Sequence, residues 1–303
     1  MSFIHVEDLV FRYPDGTLAL DGIDLDVERG EFVALIGQNG SGKTTLAKCL
    51  NGLLRPTRGR VVVDGIDTSK KGVMKEVCQR IGYVFQNPDH QLFNSQVYDE
   101  IAYGPKNLGV PEGERDVVVR EAAAVAGVRE ELFPLHPFFL PKGLRQRVAI
   151  ASTLAMRPQA IVVDEPTTGQ DYRQSLDVMD FLTQLWRAEG HTVIIITHEM
   201  PIVAAYAQRV IALSRGRILL DGPARTVFAR PEVLVETFVK PPQVTRLAQA
   251  WTDLGIRSDV LTVDHLVEEM RRVLTQRPAA TVRPGPVAAP GPAGRGDDAG
   301  HRG

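Results

Sequence analysis

Cysteine is nearly missing from this chain, with Cys49 and Cys78 the two examples among 303 residues. Two thiols without metal-type spacing make neither a zinc knuckle nor a disulfide scaffold. Both fall in stretches that read as core helix, so they are expected to be reduced, structural and cytosolic. Long apolar runs are missing as well. Although 44% of the residues are hydrophobic, no run approaches the about 20 consecutive apolar residues that span a bilayer. The first residues also lack the pattern of a secretory leader, so the chain itself is not expected to cross a membrane. Neither sign of charge dominates. The 35 Lys and Arg against 37 Asp and Glu leave a net charge of −2, which withholds the basic surface that a phosphate backbone attracts and argues against a nucleic-acid partner.

What is present begins with Gly37-Gln38-Asn39-Gly40-Ser41-Gly42-Lys43-Thr44-Thr45. This stretch satisfies the phosphate-loop pattern G-x-x-x-x-G-K-S/T. An unbroken apolar run at 32–36 precedes it and reads as a buried strand, while 45–50 reads as the start of a helix. Strand, glycine loop and helix in that order bring backbone N–H groups and the positive end of a helix to bear on phosphate oxygens. Lys43 is placed to reach the β and γ phosphates, and the Thr44 hydroxyl to complete the shell of a magnesium ion. The chemistry implied is that of a nucleoside triphosphate.

The rest of the chain supports an α/β fold. Residues 1–30 read as short strands with turns at Pro14-Asp15-Gly16 and Glu28-Arg29-Gly30, a small antiparallel sheet leaning on a nucleotide core. Strand-like runs recur at 60–63, 81–85, 160–163, 192–196 and 210–213, several of them separated by helix-period segments such as 173–188, which predicts a mixed, largely parallel sheet. Between Phe85 and Ala160 the pattern turns helical, including 112–126 and 144–156, as for a subdomain inserted into the sheet domain. Two further helical stretches, 244–254 and 263–274, follow Pro241-Pro242. From Arg277 onward Pro, Ala, Gly and charge dominate, and a disordered tail is expected. These divisions give a main domain over 1–240, a helical extension over 241–276 and a tail over 277–303.

A second half-site appears at Ile161-Val162-Val163-Asp164-Glu165, an apolar strand ending in two carboxylates. Asp164 is suited to hold magnesium through its water shell, and Glu165 to polarise an attacking water. Another apolar run, at 192–196, ends at Thr197-His198, where His198 taken alone reads as a helix-capping or core histidine and, beside Glu165, as a group linking that carboxylate to the γ phosphate. Together these residues resemble the ATP-binding cassette (ABC) ATPases over roughly 3–235. The matched elements, in order, are Tyr13, the 37–45 block, Gln86, Asp164-Glu165 and His198. The resemblance implies a P-loop core sheet, an antiparallel β-subdomain and an inserted α-helical subdomain, with ATP and Mg2+ as ligands. By the same resemblance Tyr13 stacks on adenine, Gln86 senses magnesium or the attacking water and couples it to the helical insert, and Gly169-Gln170-Asp171 reaches across a dimer interface.

Finer motifs narrow the likeness. The runs Gln86-Asn87-Pro88-Asp89-His90-Gln91-Leu92-Phe93 and Gly104-Pro105-Lys106-Asn107-Leu108-Gly109 are similar to the ATPase of energy-coupling factor importers, which take up vitamins and transition-metal ions. The stretch Pro241-Pro242-Gln243-Val244-Thr245-Arg246-Leu247-Ala248 is similar to the extension implicated there in pairing of the two ATPases. Such a resemblance implies a second cassette subunit, a transmembrane coupling protein, a separate membrane substrate-binding component, and a peripheral place at the cytoplasmic face of the cell membrane.

One element departs from the family. Where its signature loop reads L-S-G-G-Q, this chain has Leu140-Pro141-Lys142-Gly143-Leu144, followed by the usual Arg145-Gln146-Arg147. Proline removes a hydroxyl and an N–H donor, yet is tolerated in the first turn of a helix, so a helix starting near Lys142 survives. Each lost charge-assisted hydrogen bond to phosphate costs about 1.5–3 kcal/mol. Lys142 either restores part of that attraction or is simply solvated. An intact phosphate loop beside a damaged signature favours a heterodimer with a cassette whose signature is intact over a homodimer. Two other readings stand beside a transport motor: a soluble ABC ATPase acting on ribosome or DNA, and a regulatory subunit that binds ATP with weak hydrolysis.

Overall fold

Residues 2–276 are described by a computed structural model; the tail expected over 277–303 lies outside them. The chain opens with two strands, β1 (Ile4–Arg12) and β2 (Leu18–Val27), paired antiparallel. In β1 the buried positions are Ile4 and Val6, then Leu9 and Phe11. This switch from even to odd numbers marks an extra residue at Asp8, whose φ is +43°. Such a bulge bends the strand and breaks its period of two, which is why the sequence reads as several short strands where two long ones stand. β4 (Arg58–Val63) pairs antiparallel with β1 and turns back through Asp64-Gly65, both at positive φ, into the short β5 (Ile66–Asp67). The run at 60–63, expected to belong with the largely parallel strands, therefore sits in the small antiparallel sheet, in the order β2-β1-β4-β5.

The second sheet contains β3 (Phe32–Ile36), β6 (Ile81–Val84), β7 (Ala160–Asp164), β8 (Thr192–Ile196), β9 (Arg209–Ser214) and β10 (Arg217–Pro223), in the order β10-β9-β3-β8-β7-β6. All of these pairings are parallel except β10 with β9. Every residue of β3, β7 and β8 is buried, as a parallel sheet covered on both faces requires. Alternation then divides the side chains. Phe32, Ala34, Ile36, Ile161 and Val163 enter one core, and Val33, Leu35, Ala160, Val162 and Ile194 the other, beneath the antiparallel sheet.

Helices cover these faces. α1 (Lys43–Leu50) leaves the glycine loop, and α2 (Met74–Cys78) precedes β6. α3 (Val97–Leu108), α4 (Glu112–Val125) and α5 (Lys142–Leu154) form the expected insert. α6 (Tyr172–Glu189) is capped by the Asp171 side chain, which accepts from the Gln174 N–H at 2.8 Å, and stops at Gly190 with φ +70°. α7 (Met200–Tyr206), α8 (Ala224–Phe228) and α9 (Pro231–Leu234) follow. Beyond them, α10 (Gln243–Ala250) ends before the expected 254, a single tight turn at Thr252–Leu254 closing on Gly255. α11 (Val263–Gln276) completes a small core of Ala248, Ile256, Val260 and Leu266. This piece is attached to the main body by the Gln249 amide donating to the Phe228 carbonyl at 2.9 Å and by an Arg225–Asp259 ion pair at 3.5 Å.

Parallel order places the chemistry. The glycine loop follows β3, Gln86 follows β6, Asp164 and Glu165 end β7, and His198 follows β8. All four therefore lie at the carboxyl edge of the sheet, where ligands of open α/β folds bind.

Candidate nucleotide site

The glycine loop owes its shape to three positions of positive φ: Gly37 at +144°, Gly40 at +78° and Gly42 at +107°. Two of them are also confined. A Cβ at Gly37 would stand 2.2 Å from the Leu213 carbonyl oxygen, and one at Gly42 2.7 Å from that of Ala19. The loop runs directly into α1, whose first residue is Lys43. Its Nζ donates to the carbonyls of Gly37 and Gln38, at 2.9 Å each. Burial pushes the Lys43 ammonium below its ordinary pKa, against the upward pull of Glu165 and Asp164. Ser41 is also buried, and its Oγ has no hydrogen-bond partner among the described residues.

At the end of β7, Asp164 is 3% exposed. Its Oδ2 accepts two hydrogen bonds, from Thr44 Oγ1 at 2.9 Å and from the Tyr83 hydroxyl at 2.8 Å. Burial and the adjoining carboxylate raise the Tyr83 phenol pKa well above its usual value, so it donates rather than ionises. Glu165 follows at φ +52°, a left-handed backbone that costs a residue with a side chain about 1–3 kcal/mol. The turn is held by the Glu165 N–H donating to the Ile196 carbonyl at 2.8 Å. His198 Nδ1 lies 2.9 Å from Glu165 Oε1, and Thr168 Oγ1 donates to Oε2 at 3.3 Å. The Glu165 side chain is 9% exposed and that of His198 63%, so the pair runs from the interior to the surface.

Tyr13, Asn39, Gly40, Gly42, Lys43, Thr44, Thr45, Gln86, Asp164 and Glu165 line one cavity of about 330 Å³. The Tyr13 ring packs edge-on against Phe11 at 4.9 Å, and its hydroxyl lies 3.0 Å from Thr45 Oγ1. Gly37 and Ser41, in the same loop, are not among the residues that line it. His198 faces a neighbouring depression with Thr167, Thr168, Gly169 and Gln170. A larger cavity, about 440 Å³, opens beside Arg29, Glu121, Arg157 and His191. It includes none of the loop or strand-end residues, which gather at the smaller one.

Tyr83 was not among the residues that motif spacing singled out. The signal was available in alternation, because Ile81, Tyr83 and Phe85 share the β6 face that packs toward α1, and a buried phenol needs a partner.

At the departing signature, Pro141 holds φ −54° and ψ 151°, and α5 starts at Lys142 without a side-chain cap. The Lys142 side chain leans on the chain's own 167–171 loop: a Cβ at Gly169 would stand 2.4 Å from its Nζ.

The chain is similar in sequence and in fold to known proteins. The sequence pattern of the ABC transporter family matches residues 20–168. A putative ABC transporter ATP-binding protein of Caldanaerobacter subterraneus subsp. tengcongensis is 50% identical over 246 residues, which are 81% of this chain and 42% of that protein. The chain thus spans about two fifths of that relative. The energy-coupling factor transporter ATP-binding protein EcfA2 of the same organism is 39% identical over 278 residues, covering 89% of this chain and 97% of EcfA2. Among solved structures, cbiO1 from Clostridium perfringens, described as part of the ABC transporter complex cbiONQ, is 36% identical with a TM-score of 0.70, over 82% of this chain and 99% of cbiO1. This chain belongs to the ATP-binding proteins of the ABC transporter family and is closely related to the energy-coupling factor ATPases.

Proposed function

We propose that this chain binds ATP with Mg2+ and hydrolyses it as one of two cassettes of an energy-coupling factor importer. The observation that carries the reading is the convergence on one cavity of the glycine loop, the Thr44–Asp164 pair and Glu165, with His198 hydrogen-bonded behind Glu165. The 37–45 block cradles the phosphates through backbone N–H groups and the N-terminus of α1. Lys43 exchanges the Gly37 and Gln38 carbonyls for β and γ phosphate oxygens, and Tyr13 receives the adenine.

The donors fit magnesium. The Thr44 hydroxyl, which gives its proton to Asp164, keeps its lone pairs for a cation, and the Asp164 carboxylate and Gln86 amide supply further hard oxygens. Thr44, Asp164 and Gln86 would hold Mg2+ there, and the ion would supply neutralisation of phosphate charge. Glu165 accepts the proton of the attacking water, and His198 holds the carboxylate at Oε1 from the neighbouring depression.

The partner is a second cassette with an intact signature, which faces this site across the dimer together with its own loop equivalent to Gly169-Gln170-Asp171. A transmembrane coupling protein and a membrane substrate-binding component complete the assembly at the cytoplasmic face, and the cargo is a micronutrient such as a vitamin or a transition-metal ion. The description of cbiO1 as part of an ABC transporter complex supports this setting. Helices long and apolar enough to cross a membrane are absent among the described residues. A second reading, a regulatory subunit with weak hydrolysis, is favoured by Pro141 alone. Affinity purification of the tagged chain from gently solubilised membranes tests the proposal. Recovery of a second cassette with integral membrane proteins supports it, and recovery of only soluble ribosomal or DNA-associated partners overturns it.

A further inference from the structure

We infer that Tyr83 is a positioning residue for the magnesium-binding carboxylate: its hydroxyl holds Asp164 Oδ2 and ties the strand that leads into Gln86 to the strand that carries Asp164 and Glu165. The inference rests on the ATP and Mg2+ reading of the site. Its geometry follows from the register of two neighbouring parallel strands. Tyr83 of β6 pairs with Val162 of β7, both side chains lie in the core cluster on the α1 side of the sheet, and Asp164 is two residues beyond Val162 on the same face. A phenol is long enough to reach diagonally across that step, and its hydroxyl ends 2.8 Å from Oδ2. The ring is fixed from the other side by an edge-on contact with Phe85 at 5.0 Å.

Two donors then share one oxygen. Thr44 and Tyr83 both donate to Oδ2, at 2.9 and 2.8 Å, which anchors that oxygen from two different elements. A carboxylate held in this way loses little rotational freedom when a cation arrives. Hydrogen bonds behind a metal ligand typically change metal affinity by 10–100-fold. Phe85 and Gln86 follow Tyr83 directly along the chain, so the same hydroxyl couples the orientation of Asp164 to the segment that presents Gln86. Phenylalanine at position 83 would keep the ring and its contact with Phe85 and delete the hydrogen bond alone.

Binding of a fluorescent, non-hydrolysable ATP analogue to the full chain, titrated with and without Mg2+, separates the alternatives. In Tyr83→Phe, affinity for the metal-free analogue stays within about twofold of wild type, while the Mg2+ concentration giving half of the metal-dependent tightening rises about tenfold. An unchanged Mg2+ midpoint overturns the inference, and so does an equal weakening of metal-free and metal-dependent binding, which is what a merely structural role gives. Should Tyr83→Phe fail to fold, 3-fluorotyrosine at position 83 reports in its place. Its fluorine resonance moves when Mg2+ is added to the analogue-loaded protein, and a resonance that stays still overturns the inference. Wild-type chain that binds no analogue overturns the ATP reading itself, a result distinct from wild-type metal dependence preserved in Tyr83→Phe.

Discussion

Gly42 and Cys49 show how little room single residues have around α1. A methyl group at Gly42 meets the Ala19 carbonyl at 2.7 Å and the Leu20 side chain at 2.9 Å, in a backbone at φ +107°. Gly42→Ala is expected to destabilise the fold by about 2 kcal/mol or more and to abolish ATP binding. Urea unfolding checks the first expectation, and a loss below about 0.5 kcal/mol, within the range of ordinary surface substitutions, would contradict it. Cys49 is fully buried, and burial pushes its thiol up to about 12 from a usual 9.0. In the unfolded chain the same thiol ionises near its usual value. Its contribution to stability is thus complete below pH 9 and is lost as pH rises from 9 toward 12. Native protein at pH 8.5 should leave Cys49 unalkylated over hours while denatured protein reacts within minutes; rapid native labelling would show that α1 opens far more readily than its packing implies.

Among the elements, α5 and α6 meet where the family signature has been altered. The Asp171 cap of α6 is expected to be worth about 1 kcal/mol, measurable as the stability lost in Asp171→Ala. At α5, Pro141 and Lys142 replace a hydroxyl and a glycine, and Lys142 is folded over Gly169 rather than held out to solvent. In a heterodimer whose own hydrolytic site is silenced by Glu165→Gln, the double change Pro141→Ser and Lys142→Gly should raise turnover at the composite site built on the partner's phosphate loop. One recovered charge-assisted hydrogen bond of about 1.5–3 kcal/mol corresponds to roughly 10-fold or more. No rise at all would show that the altered signature is not what slows that site.

The elements also differ in how far they can be read from residues alone. The glycine loop, the Asp164-Glu165 strand end and the helical insert are legible because each is local: an apolar run, a turn residue or a 3.6-residue period lies within about ten residues of the feature it determines. The antiparallel sheet is less so, because the bulge at Asp8 breaks the alternation of β1, and its second partner, β4, is reached only after the glycine loop and α1. Tyr83 was invisible to motif spacing for the same reason: its role depends on which strand lies beside β6, and that neighbour, β7, follows only after the whole helical insert.

For the whole molecule, one edge of a parallel sheet collects a loop, a carboxylate pair and a histidine from segments spread over residues 37–198. Among the described residues, neither the three helices inserted before β7 nor the small helical core after residue 241 contributes to the cavity at that edge. The proposed motor closes against a second cassette at this edge, with Glu165 as the proposed base. The most direct measurement is ATP hydrolysis and ATP retention by the membrane complex copurified with this chain, compared between wild type and Glu165→Gln. Glu165→Gln is expected to retain bound ATP while turnover falls by about 10²–10⁴-fold, the range expected for loss of a general base. Equal turnover in the two complexes would contradict it and remove Glu165 from the chemistry.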